Sequence, residues 1–170
     1  MRRACLALVV LATSPSALAA PEIGRAAPPL VVQQLDGREF DLSAHRGNVV
    51  VLNIWATWCP PCRAEMPALD SFYRQHRDEG VDVIGLSADD PRDRRSVVKV
   101  MQGFSYPAAL ASDSKVDGFD SPAVLPVTYV VGVDGIIAAV LKPGKTPITE
   151  EALARLVLPM LPNAAQSPRP

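Results

Sequence analysis

Apolar positions along the chain follow two rhythms. Residues 48–55 (NVVVLNIW) are almost continuously apolar and β-branched, which fits a central strand buried on both faces. Residues 81–88 (VDVIGLSA) read as a second strand. Between them Met66, Leu69, Phe72 and Tyr73 recur at three- and four-residue spacing, predicting a helix from Pro60-Pro61 to about Asp78, ended by Gly80. Two dipeptides sit between paired extended runs. Asp36-Gly37 separates 30–35 from 38–42, and Asp134-Gly135 separates 127–133 from 136–141; each predicts a hairpin. Asp89-Asp90-Pro91 opens a second helix carrying Val97, Val98, Met101 and Phe104. Residues 108–111 are a short strand, and a last helix runs from about Glu150 to Met160 with Thr149 as N-cap. The order is a hairpin, then βαβα, then a hairpin and a helix. It predicts an α/β fold: a mixed central sheet, parallel in its βαβ half, with helices on both faces.

The 170 residues amount to about one domain, and the apolar share of 48% is ample for a core. With 17 basic against 18 acidic residues there is no electrostatic case for nucleic acid. The N-terminus changes the picture more. Arg2 and Arg3, an apolar run over 4–12, the break at Ser14-Pro15-Ser16 and the small-x-small Ala17-Leu18-Ala19 form the three parts of an export signal in order. The apolar run is too short for a bilayer, which needs about 20 residues. The expected division is a signal peptide over 1–19, one domain over 20–161 and a loose tail over 162–170, with cleavage after Ala19 and Ala20 as the second choice; the alternative is a frayed N-terminal strand. Export predicts a periplasmic protein. It removes Cys5, leaving Cys59 and Cys62 in a compartment where disulfides persist. It also removes two arginines, leaving 17 − 2 = 15 basic against 18 acidic residues.

Cys59-Pro60-Pro61-Cys62 carries the candidate chemistry, and a CxxC pair has three uses. As a metal site it supplies two ligands where closed zinc takes about four. The remaining candidates, His45 and His76, are poorly spaced for it. As a clip it closes a loop so short that little unfolded-state entropy is removed. As a redox pair it gains from its place between a buried strand and a helix start. Cys59 there meets unpaired N–H groups and the positive end of the helix dipole, which favour the attacking thiolate. Pro60 suits the first helical turn, having no N–H to waste. Cys62, three residues on, can reach Cys59 and resolve a mixed disulfide.

The run Asn53-Ile54-Trp55-Ala56-Thr57-Trp58-Cys59-Pro60-Pro61-Cys62, followed by Glu65, Pro67 and the later Leu125-Pro126-Val127-Thr128-Tyr129, resembles the exported TlpA/ResA-like thiol–disulfide oxidoreductases. The likeness extends over about residues 24–161. It implies a thioredoxin-like fold with an N-terminal β-hairpin and a central βα insertion between Ala88 and Pro126. It implies a catalytic set of Cys59, Cys62 and Glu65: an exposed nucleophile, a buried resolving thiol and a proton-handling glutamate, with Cys59–Cys62 the redox-active disulfide. It further implies a cis bond before Pro126, which faces that disulfide, and a substrate-binding surface of Trp58, Pro60, Leu125 and Pro126.

The same resemblance implies protein disulfides as substrates, a membrane thiol donor and apocytochrome c as an acceptor; a monomer with no cofactor or metal is expected. Two positions depart from the pattern. Asn53 stands where thioredoxin has a buried aspartate, so a proton relay would fall to Glu65. Val127 stands where threonine is common. The alternatives are a thiol peroxidase of the peroxiredoxin type and a metal-binding or copper-delivery module. For the first, Leu52 and Ala56 stand where a proline and a threonine precede a peroxidatic cysteine. For the second, the cysteine spacing is narrow and no later histidine follows.

Overall fold

The computed structural model describes residues 21–119, 122–144 and 147–162. The expected export signal and the tail from 163 lie outside the described residues. In chain order the elements are β1 (Leu30–Gln34), β2 (Glu39–Asp41), β3 (Val49–Trp55), α1 (Pro60–His76), β4 (Val81–Ser87), α2 (Arg94–Met101), β5 (Ala108–Asp117), β6 (Val127–Val131), β7 (Ile137–Leu141) and α3 (Glu150–Val157). The strands form one sheet in the order β2-β1-β5-β4-β3-β6-β7. Strands β3, β4 and β5 run parallel to their neighbours in that set, and the outer pairings are antiparallel.

Every residue of β3 is buried, as its unbroken apolar run requires. Alternate side chains enter two cores. Val49, Val51 and Trp55 pack with Met66, Leu69 and Phe72 of α1, while Val50, Leu52 and Ile54 pack with Leu30, Phe40 and Phe119 on the other face. Full burial of such a side chain contributes about 1.5–3 kcal/mol. Cys59 and Cys62 belong to the first core, so the candidate chemistry is built directly onto it.

The expectation of helices on both faces is corrected. Buried residues of α1, of α2 (Val97, Met101) and of α3 (Leu153, Val157) all join the first core. The crossovers explain this for α1 and α2. From β3 to β4 and from β4 to β5 the chain steps the same way across the sheet. Two right-handed crossovers in one direction place both helices on one face. The opposite face is closed by Leu42, which follows the leading hairpin, and by Phe119.

The central insertion supplies α2 and β5, and β5 is far longer than the 108–111 strand that its apolar residues suggest. Its second half is polar and mostly half-buried or exposed, and it pairs antiparallel with β1, with two register shifts. The leading hairpin is thereby attached to the main sheet. Helix α1 passes through a short 3-10 turn and stops at Gly80, whose φ of 97° is the left-handed conformation that glycine adopts without strain. Thr149 caps α3 as expected, its hydroxyl accepting the Ala152 N–H at 3.2 Å.

Gly85 of β4 fits closely for another reason. A Cβ there would lie 3.0 Å from Trp55 Nε1 and 3.2 Å from the Tyr106 ring. Both neighbours are buried, rigid aromatics. Gly85→Ala therefore lowers stability by about 1–3 kcal/mol through overpacking, read as a reduced urea midpoint with an unchanged slope.

Candidate active site

The site begins where β3 ends. Beyond Trp55 the chain turns tightly, the Cys59 N–H donating to the Ala56 carbonyl at 3.1 Å, with Thr57 and Trp58 between them. Helix α1 starts at Pro60, and Cys59 is its N-cap with extended backbone angles. Pro60 and Pro61 occupy first-turn positions whose N–H groups would have no helical partner, so nothing is lost there. The Cys59 sulfur accepts the Cys62 N–H at 3.3 Å. Cys59 and Cys62 form a disulfide with their Cα atoms 5.3 Å apart.

The sequence reading expects Cys59 to be exposed. It is 4% exposed and Cys62 1%. The difference between the two sulfurs is one of access: Cys59 lines a cavity of about 500 Å³ and Cys62 is not among its lining residues. Trp58, Pro60, Pro61, Ala88, Val124 and Leu125 also line it. Trp58 is 67% and Val124 61% exposed, so two large apolar side chains stand in solvent beside the disulfide. The Leu125–Pro126 bond is cis. Leu125 reaches the cavity, whereas Pro126 is buried and is not among the residues lining it.

Three buried polar groups, on β3, on α1 and just after β4, stand in unlike surroundings. Asn53 Nδ2 donates across the β3–β6 ladder to Thr128 Oγ1 at 2.9 Å, and Asn53 Oδ1 has no protein partner. Glu65 is 4% exposed; its Oε1 accepts the Ile148 N–H at 3.1 Å, and its Oε2 is unpartnered. Burial pushes the Glu65 carboxyl above the usual carboxylate range, and the Ile148 N–H opposes that only in part. Asp89, also buried, accepts from Thr57 and Ser87.

The structure thus gathers Trp58, Cys59, Pro60 and Leu125 around one cavity, places Cys62 at the first turn of α1, and holds Glu65 one turn further along it. Sequence reasoning missed Ala88 and Val124 in the cavity, the Ile148 N–H, and the Thr57–Asp89–Ser87 cluster. Ser87-Ala88-Asp89 at the end of a buried parallel strand was a usable signal, because that end of a sheet is where ligand sites gather. Its aspartate was instead read as part of a helix opening. Asp90 caps the 3-10 turn Pro91–Asp93 that leads into α2, its side chain accepting the Arg92 N–H at 2.9 Å, and Asp93 stands at the start of α2 without a side-chain cap bond.

Comparison with known proteins agrees with this geometry. The AhpC/TSA family model matches residues 23–140. Thiol-disulfide oxidoreductase ResA of Bacillus cereus is 33% identical over 114 residues, which span 67% of this chain and 66% of that relative. A secreted thiol-disulfide isomerase from Corynebacterium glutamicum superposes with a TM-score of 0.63 at 26% identity, over 78% of this chain and 83% of that one. A thiol:disulfide interchange protein of the thioredoxin family from Chlorobium tepidum gives a TM-score of 0.64 at 23% identity, over 83% and 99%, a likeness of fold. The family match takes in β1 to β6 and the whole cysteine turn, and by it this thioredoxin-like chain belongs to the AhpC/TSA family.

Proposed function

We propose that the protein is an exported thiol–disulfide oxidoreductase that reduces disulfides in other proteins. One observation carries the reading: the Cys59–Cys62 disulfide caps α1, with Cys59 on the wall of an open, apolar-rimmed cavity. The names of the relatives support the chemistry, and the secreted relative and the signal-like N-terminus support export.

In the reduced protein the Cys59 thiolate attacks one sulfur of a substrate disulfide. A mixed disulfide forms, and the first substrate sulfur leaves as a thiolate that takes up a proton. The Cys62 thiolate then attacks Cys59 Sγ, forming Cys59–Cys62 and releasing the second substrate sulfur. Two electrons pass from the dithiol to the substrate. The helix N-terminus favours Cys59 as the thiolate at both ends of this cycle. Trp58, Pro60 and Leu125 make the docking wall, and the backbone beside the cis Leu125–Pro126 bond pairs with an extended substrate segment. Glu65, one turn beyond Cys62 on the same helix face, takes the Cys62 proton as that thiol is activated. A membrane thiol donor regenerates the dithiol, and apocytochrome c is one acceptor that fits. The protein acts as a monomer.

The alternatives gain no support from the side chains. Leu52 is fully buried in β3 and Ala56 is spent on the turn, so the two positions preceding a peroxidatic cysteine offer no polar help. The histidines are engaged elsewhere, His45 with Asp82 at 2.6 Å and His76 with Glu79 at 2.8 Å.

Equilibration with glutathione and dithiothreitol buffers tests the direction. A reductase gives a midpoint below about −220 mV; a value near about −120 mV, that of a strong oxidant, overturns it. Cys62→Ser accumulates mixed disulfides with protein substrates at Cys59, visible on non-reducing gels, and Cys59→Ser accumulates none there.

Glu65→Gln tests the proton role. Burial favours the protonated folded form, so ionising Glu65 costs stability. That cost is absent below the unfolded value of 4.5, grows as pH rises through it towards the raised folded value, and is complete above that. Gln keeps an acceptor for the Ile148 N–H without the charge. The variant is more resistant to urea than the parent at about pH 8 and equal to it at about pH 3. Its thiol alkylation loses one ionisation step from its pH profile; an unchanged profile reduces Glu65 to a structural group.

A further inference from the structure

Asp89 is a buried carboxylate with no part in the exchange steps, and its hydrogen bonds converge on the cysteine turn. Its Oδ2 accepts the Thr57 N–H at 2.8 Å and the Ser87 hydroxyl at 2.7 Å, and its Oδ1 accepts the Thr57 hydroxyl at 2.6 Å. Ser87 Oγ in turn accepts the Asp89 N–H at 3.1 Å, fixing the aspartate's own backbone. The residue is 4% exposed, and among the described residues it forms no ion pair. Donors aimed at a carboxylate make hydrogen bonds roughly twice as strong as neutral ones, and they fix direction as well as distance.

Two of the three donors belong to Thr57, the second residue of the Ala56–Cys59 turn. The turn's own closing bond is the single Cys59 N–H to the Ala56 carbonyl. Asp89 therefore ties the turn that delivers Cys59 to the end of β4. That strand end is itself fixed to β3 through the Ala88 N–H and the Trp55 carbonyl at 2.8 Å. Ala88 also lines the cavity beside Cys59. An apolar anchor at this point would bury surface but leave the turn free to rock. Burying a carboxylate is costly before its bonds are counted, so its place here marks a demand for geometry rather than for burial.

We propose that Asp89 is a positioning residue of the active site: by locking Thr57 it holds Cys59 Sγ against the Cys62 N–H at the head of α1, the contact that favours the thiolate in the reduced protein. This rests on the thiol–disulfide exchange reading but not on its direction.

The test is the rate at which iodoacetamide alkylates Cys59 in the reduced, folded Cys62→Ser protein, mapped to Cys59 by mass spectrometry. Asp89→Ala slows it about ten-fold, since small displacements of a reacting group carry large rate penalties. Asp89→Asn restores it to within about two-fold of the parent: with Oδ1 towards the Thr57 N–H and the Ser87 hydroxyl, and Nδ2 donating to Thr57 Oγ1, the amide reproduces all three contacts. An unchanged rate in Asp89→Ala overturns the proposal and leaves Asp89 a group of stability alone. Equal slowing in Asp89→Asn also overturns it, because the charge and not the geometry then matters. Should Asp89→Ala fail to fold, Thr57→Val and Thr57→Ser carry the test. Slowing in Val with a normal rate in Ser supports the proposal, and equal rates in the two overturn it. Trapping of mixed disulfides by Cys62→Ser decides the exchange reading and leaves these alkylation ratios untouched, so the two readings fail separately.

Discussion

The site depends on one contact, the Cys62 N–H pointing at the Cys59 sulfur. A helix leaves its first N–H groups without backbone partners, and something must meet them. Most helices use a hydroxyl or carboxylate at the N-cap. Here the cap is the Cys59 sulfur, the attacking one in the proposed exchange. Anything that sharpens the start of α1 therefore also favours Cys59 as an anion. Pro60 and Pro61 enforce that start, the buried end of β3 aims it, and Met66, Leu69 and Phe72 hold the helix against the sheet. Cys62 cannot share the benefit, because it is inside the first turn and donates rather than accepts. One local geometry thus makes two chemically identical residues unequal.

Three buried polar groups behave differently because their partners differ. Asp89 is given three donors and holds a fixed shape. Glu65 is given one, and burial raises its proton affinity. Asn53 pairs with Thr128, and its amide cannot take up a proton. A fully satisfied carboxylate is suited to positioning, and a half-satisfied one to proton transfer. The division follows from counting donors, without appeal to distance from the cysteines.

What the sequence disclosed was mostly local. The cysteine turn lies within eight residues of one strand end, so CPPC after an apolar run already placed Cys59 at the head of a helix. The hairpins were legible from Asp36-Gly37 and Asp134-Gly135 for the same reason. The polar half of β5 was not, because its pairing with β1 needs no apolar alternation of its own. The sidedness of the helices was not either, since it depends on the strand order, which spacing does not carry. Asp89 stands in the expected helix opening but bonds to Thr57 and Ser87 instead. Two aspartates before a proline look like one helix opening, and only a contact 32 residues distant tells them apart.

The rim of the cavity follows a different rule from its floor. Trp58 and Val124 are large, apolar and mostly exposed, and none of the described residues lining the cavity is charged. Exposed apolar groups on a monomer's surface mark contact sites more often than chance placement. A charged rim would draw partners of one sign and make docking depend on salt. On the proposed function, an apolar rim beside the cis Leu125–Pro126 bond favours instead an extended segment that offers main-chain hydrogen bonds and a few apolar side chains. Such recognition reads the unfolded or loop state of a substrate rather than its folded surface. It suits a catalyst that must approach sulfur atoms before a partner's own packing hides them.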